Sequence, residues 1–323
     1  MKKKVAIVYG GYSSEFEISK KSANTIYSNI NSDIFDPFLV EVTKKNWYVH
    51  IRGGVTLINK NKFTYLLNDL ENSFDIAFIT IHGTPGEDGK LQAYFDMIGL
   101  NYVNSGVLAS SLSFNKWACN SFLRDFGIST AKAILLREPN NLQTIQIANE
   151  LELPCFVKPN DGGSSFGISK VKTLMEMPSA IAKAFAEGSE VVVESFIEGR
   201  ELTCGLYNNG KEIIALPTTE IISHNDFFDY DAKYKGESNE VTPADISIEL
   251  TKEIQAISKK IYKRMALNAL SRIDYIVTAK NEIYLIEVNT NPGMTEESII
   301  PQQIKAASLN LTTVLTEILN SKS

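Results

Sequence analysis

Cysteine is scarce in this chain: Cys119, Cys155 and Cys204 are the three in 323 residues. They stand far apart and form no CxxC pair, which argues against a disulfide framework or a thiolate zinc site and fits a reducing compartment. Long apolar runs are also missing. The N-terminal run Val5 to Tyr9 is too short for the core of a secretion signal. Nothing approaches the roughly 18 apolar residues of a membrane span. The expectation is a soluble, cytoplasmic protein with no membrane partner. Positive charge is not in excess either. Lys plus Arg number 32 against 38 acidic residues, a net charge of −6, so bulk electrostatics argue against a general nucleic-acid binder. The first glycine turn, GGYSSEFE, lacks GxGxxG, which argues against a dinucleotide-binding oxidoreductase. There is no internal repeat and no low-complexity tract.

What is present is ordinary globular material, 44% hydrophobic and 22% charged, enough for two or three packed domains. The first hundred residues alternate strand and helix. VAIVYGG and FDIAFITIH read as covered strands, FDPFLVEV as another, and Glu15 to Ile30 as a helix with Ser14 and Glu17 at capping-box spacing. This is the pattern of a doubly wound α/β unit, with Gly10-Gly11 and His82-Gly83 at strand ends where ligands bind. Further on, Gly106 to Phe126 reads as a helix stopped by Gly127. PCFVKP and EVVVESF read as strands, and Leu174 to Glu187 as a helix. ELTCGLYNNGKEIIAL is a hairpin around Asn209-Gly210. Ile221 to Ile246 has little periodicity, as expected of a functional loop or lid. A helix from Ser247 to Leu267 precedes the last hairpin.

That hairpin, with the turn after it, is the richest stretch: SRIDYIVTAKNEIYLIEVNTNPGMTEES, residues 271–298. A two-residue turn at Lys280-Asn281 sets Asp274 opposite Glu287 and Arg272 opposite Asn289. Alternation puts these four on one side and Ile273, Tyr275, Val277, Tyr284, Ile286 and Val288 on the other. Opposed carboxylates repel, so either the face is solvated or a cation lies between them. Sparse oxygen donors of this kind suit Mg²⁺ bound with a nucleotide.

Other residues carry two readings each. Lys158, inside an apolar strand, either snorkels out or meets an anion. The loop Asp161–Gly167 is a phosphate cradle or a plain turn, and not a Walker A loop. Lys116 on its helix is solvated or anion-binding. Glu194 and Glu201 are surface acids or acceptors for a nucleotide's amine and ribose. His82 is more often structural than catalytic. Glu87 and Asp88 most simply cap the helix beginning near Lys90. Glu15 is spare if Glu17 serves the cap. Pro292-Gly293 and a short helix from Thr295 form an anion site or a simple cap.

Together, GGYSSEFEIS, HGTPGEDGKLQAYFDMIGLNYVNSG, SLSFNK, VKPNDGGSSFGISKV, VVESFIEGREL, FDYDAKY, RIDY and EVNTNPGMTEES resemble the D-alanine–D-alanine ligases of the ATP-grasp superfamily, nearly end to end. The resemblance implies an N-terminal doubly wound parallel-sheet domain over residues 1–104 and a two-domain ATP-grasp fold, central domain 105–189 and C-terminal domain 190–323. It implies ATP-dependent joining of two D-alanines through an acyl phosphate, for peptidoglycan precursor synthesis, with D-lactate or D-serine as the alternative second substrate. By the same resemblance, Lys116, Lys158, Ser165 and Lys233 contact ATP phosphates, Glu194 the adenine amine and Glu201 the ribose. Asp274, Glu287 and Asn289 hold two Mg²⁺ ions, or Mn²⁺ in their place. Glu15 binds the first D-alanine's ammonium, with His82 near its carboxylate. Arg272 and the Gly293 N–H form an oxyanion hole, and Ser298 with the Ile299 N–H holds the second carboxylate. Tyr234 joins Glu15 and Ser164 in closing the lid, and its presence favours D-alanine as second substrate. Ser195 departs from a common lysine, and Ile299 from a common leucine. Relatives are commonly homodimers.

Overall fold

The computed structural model describes residues 2–139, 144–162, 166–223 and 238–321. The first sheet contains β1 (Lys3–Gly10), β2 (Phe35–Val42), β3 (Trp47–Ile51), β4 (Gly54–Asn59), β5 (Thr64–Leu67), β6 (Leu70–Asn72), β7 (Ile76–Ile79) and β8 (Asn101–Tyr102), with helices α1 (Phe16–Asn29) and α2 (Lys90–Ile98). Its order is β6-β5-β4-β3-β2-β1-β7-β8. β1 runs parallel to β2 and β7, and β7 parallel to β8. This is the expected parallel unit, and β1 is buried from Val5 to Gly10 because both faces are covered. Strands β3 to β6 extend it as an antiparallel meander, which alternation had not marked. The capping box does not form. Glu15 itself occupies the N-cap position of α1, with no side-chain cap bond.

Next come α3 (Val107–Phe114), α4 (Lys116–Arg124), β9 (Ala133–Leu136), α5 (Thr144–Leu151), β10 (Cys155–Pro159), β11 (Ser169–Val171), α6 (Met177–Phe185) and β12 (Val191–Ser195). The four strands pair antiparallel in the order β11-β10-β12-β9. The single helix expected over 106–126 is broken. Asn115 is extended (φ −94°, ψ 102°), and its side chain accepts from the Ala118 N–H. Asparagine is a strong N-cap, so α4 restarts there and Lys116 becomes its first residue. The helical stretch expected from Leu174 likewise begins as a single 3-10 turn over Leu174–Glu176.

The third sheet contains β13 (Arg200–Asn208), β14 (Ile213–Ala215), β15 (Thr219–Ser223), β16 (Ser238–Val241), β17 (Ser271–Val277) and β18 (Ile283–Asn289), with α7 (Ile248–Arg264), α8 (Ile299–Ala306) and α9 (Leu311–Asn320). Its path is β16-β15-β13-β17-β18, and β14 pairs with β13 across the Asn209-Gly210 turn, where Gly210 has φ +86°. The lid stretch begins in β15 and ends beyond β16. Residues 224–237 between them lie outside the described residues.

The cores do not follow the sheets one to one. Val5, Ile7 and Ile26 of the first unit share a core with Ile300, Ile304, Leu315 and Ile318 of the last two helices. α3 and α4 send Ala109, Cys119 and Leu123 into the core that α7 makes on the third sheet, which also contains Cys204. The central sheet closes its own core, with Cys155, Val157, Ile181 and Val193. All three cysteines are buried as free thiols, and burial raises their pKa values, to about 12 for Cys119 and Cys204 and about 11 for Cys155.

Candidate active site

The site is built on the β17–β18 hairpin, whose register departs from expectation twice. Its turn has one residue more. The Thr278 N–H donates to the Glu282 carbonyl at 3.0 Å, and Asn281 adopts φ +61°, as in a three-residue hairpin loop with a left-handed last position. Val277 then pairs with Ile283 and Tyr275 with Leu285. A register shift between Asp274 and Tyr275 leaves Ile286 as an unpaired bulge. The two offsets cancel, so Asp274 still faces Glu287 and Arg272 still faces Asn289. Between turn and bulge the faces exchange. Leu285 joins Ile273, Tyr275 and Val288 in the core, while Tyr284 and Ile286 line a cavity.

Asp274 is 4% exposed and heavily bonded. It accepts from Arg272 Nε and Nη2 at 2.9 and 2.8 Å, from Thr203 Oγ1 at 2.5 Å, and from Asn289 Nδ2 at 2.9 Å. Asn289 Nδ2 also approaches Glu287 Oε1 at 3.4 Å. The Asn289 amide thus bridges two carboxylates that would otherwise repel, and the guanidinium offsets the charge of Asp274. Among the described residues no group of three or more His, Cys, Asp or Glu side chains is placed to hold a metal ion by itself. Two carboxylates and an amide on one polar face fit a hard cation that takes its other ligands from phosphate and water.

A cavity of about 480 Å³ between the central and third sheets is lined by Lys116, Lys158, Glu194, Glu201, Asp274 and Glu287. Lys158 does meet an anion: its Nζ lies 2.6 Å from Glu194 Oε2, and both side chains are 9% exposed. Asn120 Nδ2 donates to the other Glu194 oxygen at 3.3 Å. Lys116, at the start of α4, donates to the Gly162 carbonyl at 2.7 Å, at the edge of the glycine loop. Ser164, Ser165, Lys233 and Tyr234 lie outside the described residues.

A second cavity, of about 370 Å³, shares Lys116 and Glu287 with the first and is ringed by Glu15, His82, Arg272, Asn289, Gly293, Ser298 and Ile299. Burial lowers the His82 pKa, with Arg272 acting in the same direction and Glu15 and a hydrogen bond to the Asn291 backbone opposing. Its Nε2 has no hydrogen-bond partner among the described residues. The helix after Gly293 starts later than expected. Ser298, not Thr295, is the N-cap of α8, and its Oγ accepts from the Thr295 N–H at 3.0 Å. Ile299 is therefore the first helical residue, with an N–H that has no partner within the helix. A Cβ on Gly293 would stand 2.9 Å from Ser298 Oγ, so any side chain there would fill the space between them.

Two residues that line this cavity escaped the sequence patterns. Glu87 does not cap α2. Gly89 is the N-cap, with no side-chain cap bond, and Asp88 just before it accepts from the Lys90 N–H at 3.2 Å. Glu87 turns inward to line the second cavity and accepts from the Gly83 N–H at 2.7 Å. Burial pushes its carboxyl up to about 8, helped by the nearby Glu15. Two acids where one cap suffices was the available signal. Asn291 ties the same loop to the Pro292-Gly293 turn: Nδ2 donates to the Ile81 and Gly86 carbonyls at 3.2 and 2.9 Å, and Oδ1 accepts from Asn104 Nδ2 at 2.8 Å.

Comparison with known proteins gives a consistent answer. Residues 4–105 match the model for the D-ala D-ala ligase N-terminus, and residues 122–320 the model for the D-ala D-ala ligase C-terminus. The D-alanine--D-alanine ligase of Parabacteroides distasonis is 50% identical over 324 residues, covering 100% of this chain and 98% of that protein. That of Bacteroides fragilis (strain ATCC 25285) is 46% identical over 323 residues, covering both chains fully (100%). Among solved structures, the VanG D-Ala:D-Ser ligase from Enterococcus faecalis superposes with a TM-score of 0.90 at 32% identity, covering 100% of both chains. The D-alanine--D-alanine ligase from Bacillus anthracis complexed with ATP superposes with 0.80 at 28% identity, covering 99% of this chain and 97% of that one.

Proposed function

Because the chain belongs to the D-alanine–D-alanine ligase family, we propose that it joins two D-alanines into D-alanyl-D-alanine with conversion of ATP to ADP and phosphate, supplying a peptidoglycan precursor. One observation carries the reading. Glu15, His82, Arg272, Gly293 and Ser298 ring one cavity, Lys158, Glu194 and Glu201 ring its neighbour, and Glu287 lines both. A substrate carboxylate in the first and a nucleotide in the second would meet at the Asp274–Glu287 face.

In this reading the central unit (105–189) and the C-terminal unit (190–323) clamp ATP, and the N-terminal unit (1–104) closes the amino-acid side. Glu194 takes the adenine amine and Glu201 the ribose. Lys116, Lys158, Ser165 and Lys233 hold the phosphates. Asp274, Glu287 and Asn289 would hold two Mg²⁺ ions, or Mn²⁺. Bound there, the ions would neutralise charge on the transferred phosphoryl group. Glu15 binds the ammonium of the first D-alanine, and His82 lies beside its carboxylate. That carboxylate attacks the γ-phosphorus, releasing ADP and leaving an acyl phosphate, a step governed by positioning and electrostatics. The amine of the second D-alanine, its carboxylate held by Ser298 and the Ile299 N–H, attacks the acyl carbon. Arg272 and the Gly293 N–H receive the developing oxyanion. Phosphate leaves as the amide forms. Tyr234 and Ser164, with Glu15, close the lid and exclude water that would hydrolyse the acyl phosphate. No helix among the described residues is long and apolar enough to cross a membrane. A cytoplasmic homodimer acting on D-alanine and ATP completes the proposal.

The likeness to a D-Ala:D-Ser ligase keeps a second reading in view, in which D-serine is the preferred acceptor. The deciding assay measures phosphate release from ATP with Mg²⁺ and D-alanine, alone or with D-serine or D-lactate, with mass detection of products. Phosphate matched one-to-one by D-alanyl-D-alanine is the expected result. Dominant D-alanyl-D-serine from an equimolar mixture would transfer the assignment, and turnover without any D-alanyl product would reject both.

A further inference from the structure

One wall of the amino-acid cavity is formed by Glu240, a residue with no role in the mechanism above. It projects from β16, the outermost strand of the third sheet, where it pairs with Ile221. Ile221 pairs in turn with Glu201, and Glu201 with Ile276. Residues directly opposite one another share a face, so Glu240 stands on the same side of the sheet as Glu201 and Asp274.

Its carboxylate is oriented by α8. Gln302 Nε2 donates to Glu240 Oε2 at 2.6 Å, and the same nitrogen donates to the Glu297 carbonyl at 2.8 Å. No hydrogen bond to the second oxygen, Oε1, is made among the described residues. Gln302 lies one helical turn from Ser298, about 5–6 Å along the same helix face. An amino acid whose carboxylate rests on Ser298 and the Ile299 N–H has its α-substituents within that distance. Arg272 lines the same cavity and acts on Glu240 electrostatically, so an ammonium entering here needs a fixed negative charge beside it. Burial raises the Glu240 pKa, while the Gln302 hydrogen bond and Arg272 oppose that rise.

We propose that Glu240 receives the α-ammonium of the second amino acid, and so selects an amino acid over a 2-hydroxy acid at the acceptor position. The proposal rests on the reading that Ser298 and Ile299 hold the acceptor carboxylate. An ammonium brings a full positive charge and three N–H donors to the Glu240 carboxylate, whereas the hydroxyl of a hydroxy acid brings a single O–H donor and no charge to offset the buried carboxylate. Together the two contacts fix the zwitterion at both ends.

Glu240→Gln separates charge from anchoring, because an amide oxygen still accepts from Gln302. Two-substrate kinetics on the full-length enzyme give separate KM values for donor and acceptor D-alanine. A competition at one fixed pH gives the ratio of D-alanyl-D-alanine to D-alanyl-D-lactate. The expected result is an acceptor KM raised about tenfold or more, a donor KM within about twofold, and a product ratio moved toward the depsipeptide. Gln302→Leu, which keeps the charge but releases the carboxylate, is expected to move the product ratio less than Glu240→Gln does. Wild-type acceptor KM and product ratio in Glu240→Gln would overturn the assignment. So would an equal rise in both KM values with a lowered Tm, the mark of a structural role. A wild-type enzyme that forms neither product fails at the ligase reading instead.

Discussion

Glu87 shows what a single side chain can hide. In the sequence it is one of two acids beside a helix start; in the fold it is a half-buried carboxyl whose pKa is raised to about 8. Its proton is held more tightly folded than unfolded. That contribution to stability is complete below the unfolded value of 4.5 and is lost as pH rises toward 8. His82 works in the opposite sense. Its pKa is lowered from 6.5, so its contribution is complete above that value and lost as pH falls below it. Above pH 6.5 the Glu87 slope is therefore not offset by His82, at about 1.4 kcal/mol per pH unit. Urea unfolding of wild type and Glu87→Gln at pH 6.5 and 8 should show the wild type losing about 1–2 kcal/mol more than the variant over that interval. Equal losses would reject the account of a desolvated acid. Lys158 was easier to read, because a lysine in an apolar strand must resolve to solvent or to an anion, although its partner on the neighbouring strand was not legible. Glu87 was misread because local capping explains an acid so economically that burial is not considered.

The β17–β18 hairpin makes the corresponding point for an element. Alternation placed Arg272, Asp274, Glu287 and Asn289 correctly, but through two offsets that cancel, a longer turn and a bulge at Ile286. Period-two patterns report faces and are blind to single inserted residues. For this reason the polar cluster was legible while Tyr284 and Ile286 were assigned to the wrong side. The turn depends on Asn281 holding φ +61°, a conformation that asparagine tolerates and a β-branched residue resists. Asn281→Val should cost about 1–2 kcal/mol in denaturant unfolding and leave ATP binding by calorimetry unchanged, since the bulge re-registers the strands before the site. Weakened ATP binding would mean that turn and bulge are one coupled unit. The helix break at Asn115 was missed for a related reason: an N-cap inside an amphipathic run looks like a polar helix residue until its side chain is seen bonding forward to Ala118.

For the whole molecule, the order of motifs along the chain was legible and the sharing of cores was not. A shared core depends on which distant segments meet, as when Ile7 and Ile26 pack with Ile300 and Leu315. This arrangement predicts two cooperative units. Amides of β1, α1, α8 and α9 should exchange hydrogen with one common opening free energy, and those of β10, β12 and α6 with another. A single value across all seven elements would show that the central sheet does not open independently. The burial of every native thiol carries a further consequence. Cys119, Cys155 and Cys204 are shielded from solvent, with thiolate formation suppressed by burial. Cysteines introduced at exposed Met97 and Met175 would then be the sites taken by a maleimide dye under gentle conditions. The wild-type background is already suited to a two-colour ruler between the first and central sheets, with no native cysteine to remove.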